Sequence, residues 1–209
     1  YARNAMFAGL MPSEIERLYP EFWDDDDNEG HKNKYEEQLL RKQLVRHGRK
    51  EKLYFDKVSG IRMDRRITDN LNNILENDLS VMVFNFVDMI SHARTEMDMI
   101  KELASNEKAY RSLTLSWFNN SSLLELLKGV AENDIRIIVT TDHGAIRVNN
   151  AVKVIGDRDT NTNLRYKLGK NLNYKSKQLF EVRDPKQVHL PSRNMSTSYI
   201  FAHTTDFLA

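Results

Sequence analysis

With 209 residues the chain is long enough to bury a core of several strands with covering helices, and a single catalytic unit is the first expectation. Its 31 lysines and arginines almost cancel 30 aspartates and glutamates, and the net charge of +1 excludes a global field that would gather nucleic acid or an anionic membrane. The lack of cysteine excludes a disulfide framework, a thiolate nucleophile and a cysteine zinc site, so a metal would need histidine and carboxylate ligands; the composition is compatible with a cytoplasmic setting.

In chain order, residues 2–19 place Ala5, Met6, Ala8, Ile15 and Leu18 at helical spacing, with a break and restart at Pro12-Ser13-Glu14. The opening Tyr1-Ala-Arg-Asn-Ala has no initiator methionine and no signal peptide, which predicts a natural start further upstream. Asp24, Asp25, Asp26 and Asp27 read as a solvated loop, because a calcium site would need spaced oxygens. Residues 34–47 predict a charged surface helix with a narrow stripe of Leu39, Leu40, Leu44 and Val45, capped by Gly48.

Residues 68–76 repeat the helical pattern, and residues 79–87 form a short apolar run that reads as a buried parallel strand. At about half the length that a bilayer needs, this run predicts no membrane insertion. Residues 95–131 read as helix, broken near Asn106 and Asn119-Asn120, and residues 135–141 as a second buried strand. Strand, helix, strand predicts a right-handed crossover with both strands parallel. Short β pieces follow Gly144 at residues 151–155, 164–166, 179–182 and 198–202. The expected fold class is α/β, a central mostly parallel sheet flanked by helices over residues 1–145, with a smaller β-rich portion or cap over 146–209.

Ligands of an open α/β sheet gather beyond the carboxyl ends of its strands. The first predicted strand runs into Asp88-Met89-Ile90-Ser91-His92 and the second ends Thr140-Thr141-Asp142-His143-Gly144. Asp88 and His92, four apart, share one face if the chain turns helical there and can close on one cation. Asp142 and His143, consecutive at a strand tip, diverge toward separate ions, with Gly144 allowing a sharp turn. Two such tips side by side would clamp two metals. The plainer alternative makes Asp88 a helix cap, His92 first-turn polarity and Asp142 a turn residue.

His203, after the apolar residues 199–202, and His189, before Leu190-Pro191, are further ligand candidates, whereas His31 and His47 have the surroundings of solvated residues. Arg158, Arg165, Lys167, Lys170, Lys175 and Lys177, interleaved with Tyr166 and Tyr174, suit a flexible polyanion that stacks on aromatic rings, although Asp157 and Asp159 dilute the charge. An ordinary solvated surface explains the same residues.

The runs Asn85-Phe-Val-Asp-Met-Ile-Ser-His-Ala-Arg94 and Thr140-Thr-Asp-His-Gly144 resemble the metal motifs of PglZ domains, a branch of the alkaline-phosphatase superfamily. Residues 1–12 resemble the segment just after that branch's nucleophilic threonine, and the likeness extends over nearly the whole chain. It is nearest to the PglZ domain that follows a phosphoreceiver in response regulators of type nine secretion.

This resemblance implies a two-zinc phosphodiesterase in which Asp88 and His92 hold one ion and Asp142 and His143 help hold the other. It implies phosphodiester substrates such as cyclic or linear oligonucleotides, with Arg3 and Asn4, on the helix after the threonine, as phosphate contacts; from the basic stretch, Arg158, Arg165 and Lys167 are further phosphate-binding candidates. The branch's threonine and an earlier aspartate match positions before Tyr1, and its last zinc histidine one beyond Ala209, so these 209 residues alone are expected to bind zinc poorly and to be inactive. The competing expectation is a regulatory module, a homodimer in the full-length protein, that relays a sensor-kinase signal to a transcription factor or secretion component. Phosphomutase or sulfatase chemistry on the same scaffold is a third.

Overall fold

Pro12 has no N–H to continue a helix, and the first helix, α1 (Ala2–Ala8), ends in Gly9 at φ 58° before α2 (Pro12–Leu18) restarts with the proline in its first turn. The Glu14 carboxylate accepts the Met11 N–H at 2.9 Å and so caps the restart. The computed structural model describes residues 1–23, 33–58, 67, 69–175, 179–192 and 196–209, and all of their side chains except those of residues 92 and 94–96. The four-aspartate run, His31, Thr68 and Lys177 lie outside the described residues. The chain divides into two compact units, Tyr1–Arg46 with Thr140–Ala209, and His47–Val139.

In the first unit, a 3₁₀ turn (Pro20–Phe22) follows α2, and α3 (Glu36–Arg46) packs against α1. Its buried residues are Glu36, Leu39 and Leu40, whereas Val45 is 72% exposed, so the apolar stripe is narrower than the sequence implied. The Arg46 guanidinium donates to the Ala8 carbonyl and satisfies the end of α1. The remainder of the unit is β-rich: β3 (Asn150–Val152), β4 (Val154–Ile155), β5 (Tyr166–Gly169), β6 (Asn173–Tyr174), β7 (Phe180–Val182), β8 (Ser198–Phe201) and β9 (Asp206–Leu208). Strands β3 and β9 pair in parallel, β4 and β6 antiparallel, and β5, β8 and β7 form a three-stranded antiparallel sheet. Val152, Ile200 and Leu208 are the buried centre of this part, with Leu172, Tyr174 and Leu179 packed on them. The Ser13 N–H donates to the His189 carbonyl at 3.1 Å, which ties α2 to the β-rich part.

In the second unit, β1 (Leu53–Val58) and β2 (Leu79–Phe84) pair in parallel from Leu53↔Leu79 to Val58↔Phe84, connected through α4 (Leu71–Leu75). Helices α5 (Phe86–Glu96), α6 (Asp98–Leu103), α7 (Glu107–Asn119) and α8 (Ser122–Ala131) follow, and Asn106 and Ser121 cap α7 and α8 through their side-chain oxygens. Val58, Ile67, Ile74, Leu126 and Val130 form the core. Helix α8 approaches α4 so closely that a Cβ on Gly129 would overlap a methyl of Leu71.

Two strand expectations are corrected. The strand at residues 79–84 is half-buried along its length, not buried on both faces, and its parallel partner is β1, which the sequence reading missed. Residues 135–141 form no strand: among the described residues nothing pairs with them, and Ile138 and Val139 are each 81% exposed. Their β-branched composition favours extended backbone, but strand status requires a hydrogen-bonded neighbour, and the parallel partner of β2 comes from upstream. Mixed α/β structure, with eight α-helices and several small sheets among the described residues, agrees with the expected fold class.

Candidate metal centre

Helix α5 starts immediately after β2, and Asp88 lies in its exposed first turn with residue 92 one turn further along the same helix. The start of α5 is anchored on α7. The Phe86 ring stacks on Trp117 with centroids 4.4 Å apart, Ser91 Oγ and the Tyr110 hydroxyl are 2.8 Å apart, and that hydroxyl donates to the Val87 carbonyl at 3.2 Å. The helical expectation for residues 88 and 92 is therefore met by the backbone, and a carboxylate there also favours the positive end of the helix.

The second pair lies in the other unit, on irregular backbone instead of a strand tip. The Asp142 side chain is 18% exposed and that of His143 is 61% exposed, with Nε2 and Oδ2 3.8 Å apart. Thr141 Oγ1 donates to the His143 carbonyl at 2.7 Å and holds the peptide that carries the imidazole. Gly144 has no positive φ, and a Cβ there would meet open space, so the turn does not depend on glycine.

Aspartate and histidine are donor types that suit zinc, and in a cysteine-free chain glutamate is the other. Among the described residues, however, no group of three metal-capable side chains converges. Asp142 with His143 thus supplies two donors, fewer than the four that a zinc ion takes.

The anion-binding candidates fall into different surroundings. Arg3 gives its fork to a carboxylate: Nη2 donates to Glu36 Oε2 at 2.9 Å and Nε lies 2.6 Å from Oε1, with Glu36 fully buried. Asn4 Oδ1 is buried without a hydrogen-bond partner among the described residues. Arg158 is exposed in a turn, whereas Arg165 Nη1 donates to the Asp206 carbonyl. Lys167 is buried, and desolvation holds its ammonium below the ordinary lysine value. The Tyr174 phenol is raised above its ordinary value by burial first, then by the charge of Glu181 and the hydrogen bond to it, with Arg183 opposing. His189 and His203 are exposed, as is His47.

Sequence reasoning overlooked Asp206, a buried residue whose Oδ1 accepts from Asn150 Nδ2 at 2.7 Å across the β3–β9 pair. An aspartate at the head of an alternating triplet was the only signal available for it.

An α/β architecture hosts many unrelated chemistries, so the fold alone does not name a reaction. The family model for the BREX system PglZ alkaline phosphatase-like domain matches residues 1–209, and the chain belongs to that family. Membership places it in the alkaline-phosphatase-like superfamily of phosphoester hydrolases. No curated protein matches the chain. No helix among the described residues is long and apolar enough to cross a membrane.

Proposed function

We propose that the chain is a zinc-dependent phosphodiesterase domain in which Asp142 and His143 hold one ion and Asp88 and His92 hold another. The observation that carries this reading is the consecutive Asp142–His143 pair in a chain of a phosphoester-hydrolase family, with the carboxylate largely sheltered and the imidazole 61% exposed. Bound there, zinc would neutralise the phosphodiester charge and stabilise the attacking and departing oxygens. The residues of the chain supply position. Thr141 fixes the His143 peptide, and the Phe86–Trp117 stack fixes the helix that bears Asp88. Arg158, exposed in its turn, is the candidate among the basic residues to meet substrate phosphate, since Arg165 is committed to the Asp206 carbonyl and Lys167 is buried.

Within this reading the domain serves oligonucleotide-like substrates in a cytoplasmic PorX-type response regulator, downstream of a sensor kinase. The motif over residues 85–94 supports that placement. The α/β core over residues 1–145 and the β-rich portion over 146–209 are read as parts of one PglZ domain. A second reading, a binding module that relays a receiver signal to a transcription factor or secretion component, is favoured by the exposed apolar residues Ile137, Ile138 and Val139.

Zinc content and hydrolysis of an aryl phosphodiester by the intact protein, beside Asp142→Ala, separate the two. The expected result is bound zinc and turnover that both fall in the variant. Turnover no greater than the variant's leaves only the binding role.

A further inference from the structure

We propose that Tyr110 and Ser91 are positioning residues for the Asp88–His92 pair: their hydroxyls pin the first turn of α5 and so fix how the ligand-bearing stripe of that helix is turned. The inference rests on the zinc reading above and extends it to two residues that would touch no metal.

Proton bookkeeping gives the clamp its direction. The Tyr110 hydroxyl has one proton, and it goes to the Val87 carbonyl at 3.2 Å, because a carbonyl can only accept. The 2.8 Å contact between Ser91 Oγ and the same hydroxyl is then donated by the serine. The relay runs from Ser91 through Tyr110 to Val87, and it ties two positions one helical turn apart to a single side chain of α7.

Positions 87 and 91 share one stripe of α5, and positions 88 and 92 share the neighbouring stripe, about 100° around the axis. A helix held at two points on one stripe cannot roll or unwind without breaking both bonds, so the adjacent stripe is held with it.

The helix has few other anchors. Among its described side chains only Ile90 is buried, whereas Val87, Asp88 and Met89 are exposed. Among the described residues no side-chain cap closes its N-terminus, and helix ends without caps fray. Fraying would carry Asp88 away from position 92, and two residues four apart can grip one ion only while that turn is helical. The Phe86–Trp117 stack fixes where the chain enters the helix. Hydrogen bonds, which weaken steeply off line, fix how the helix is turned.

The test measures zinc binding to the full-length protein by chelator competition. Tyr110→Phe keeps the ring and removes the relay, and it is expected to weaken one of the two ions about tenfold while leaving the other unchanged. Asp88→Ala should abolish binding of that same ion. Ser91→Ala should weaken it too, whereas Ser91→Thr, which keeps a hydroxyl, should not. Adding Ser91→Ala to Tyr110→Phe should have little further effect, because the relay is already broken. With cobalt in place of zinc, the visible band lost in Asp88→Ala should be the band altered in Tyr110→Phe. Equal affinity of wild type and Tyr110→Phe for both ions overturns the positioning role and leaves the zinc reading standing. So does equal weakening of both ions together with a lower melting temperature of the metal-free protein, which would make the hydroxyls ordinary packing. A full-length protein that binds no zinc, or that keeps both ions in Asp88→Ala, sinks the zinc reading itself and this proposal with it.

Discussion

Arg3 and Glu36 meet in a two-point ion pair between α1 and α3, with the carboxylate excluded from solvent. Removing one partner strands a buried charge, which is far more costly than losing an exposed pair. Arg3→Ala should destabilise the protein by about 3–5 kcal/mol in urea denaturation, and adding Glu36→Leu should recover part of that loss. A cost of under about 1 kcal/mol would instead return Arg3 to the phosphate-binding role that its sequence position suggested.

Glu181 and Tyr174 give a spectroscopic prediction. Glu181→Gln removes the charge that helps to raise the phenol while leaving a neutral acceptor in its place, so the ultraviolet titration of Tyr174 should move down toward 10.0. It should not return fully, because burial is the larger cause and remains. An unmoved titration would show that the two side chains do not interact in solution.

Lys167 should impose an alkaline dependence on stability. Its folded-state pKa lies below the ordinary 10.5, so between the two values the unfolded chain binds more protons and stability rises with pH. Lys167→Met should remove this rise, leaving a flatter curve of urea midpoint against pH just below 10.5. Lys167 is adequately described as solvated if the wild-type and variant curves run parallel.

Two glycines of the chain should respond oppositely to enlargement. Gly129→Val drives atoms into Leu71 across the α4–α8 contact and should cost about 1–3 kcal/mol. Gly144→Ala enters open space at a residue without positive φ and should change stability by less than about 0.5 kcal/mol. Thermal melts of both variants decide the matter, and a large loss in Gly144→Ala would restore a conformational role for that glycine.

The parts of the fold that were legible in advance are those set by local chemistry. Pro12 broke the first helix, and Asn106 and Asn119-Asn120 fell beside the breaks that divide residues 95–131. Strand β1 was missed because Asp56 and Lys57 interrupt its apolar pattern, and residues 135–141 were misread because a β-branched run does not reveal whether a neighbour exists. Pairing is a property of distant residues. The candidate site divides the same way: Asp88, His92, Asp142 and His143 were recognisable as ligand types, whereas the commitment of Arg3 to Glu36 and of Arg165 to the Asp206 carbonyl depends on packing that spans many residues.

The unit that holds Asp142 and His143 is assembled from two stretches of chain, with His47–Val139 inserted between them. During synthesis α1, α2 and α3 emerge long before Ser13 can reach its acceptor on His189, and β3 waits for β9. Intermediates on the ribosome should therefore complete the inserted unit first, and the unit assembled from two stretches follows only when β9 pairs with β3.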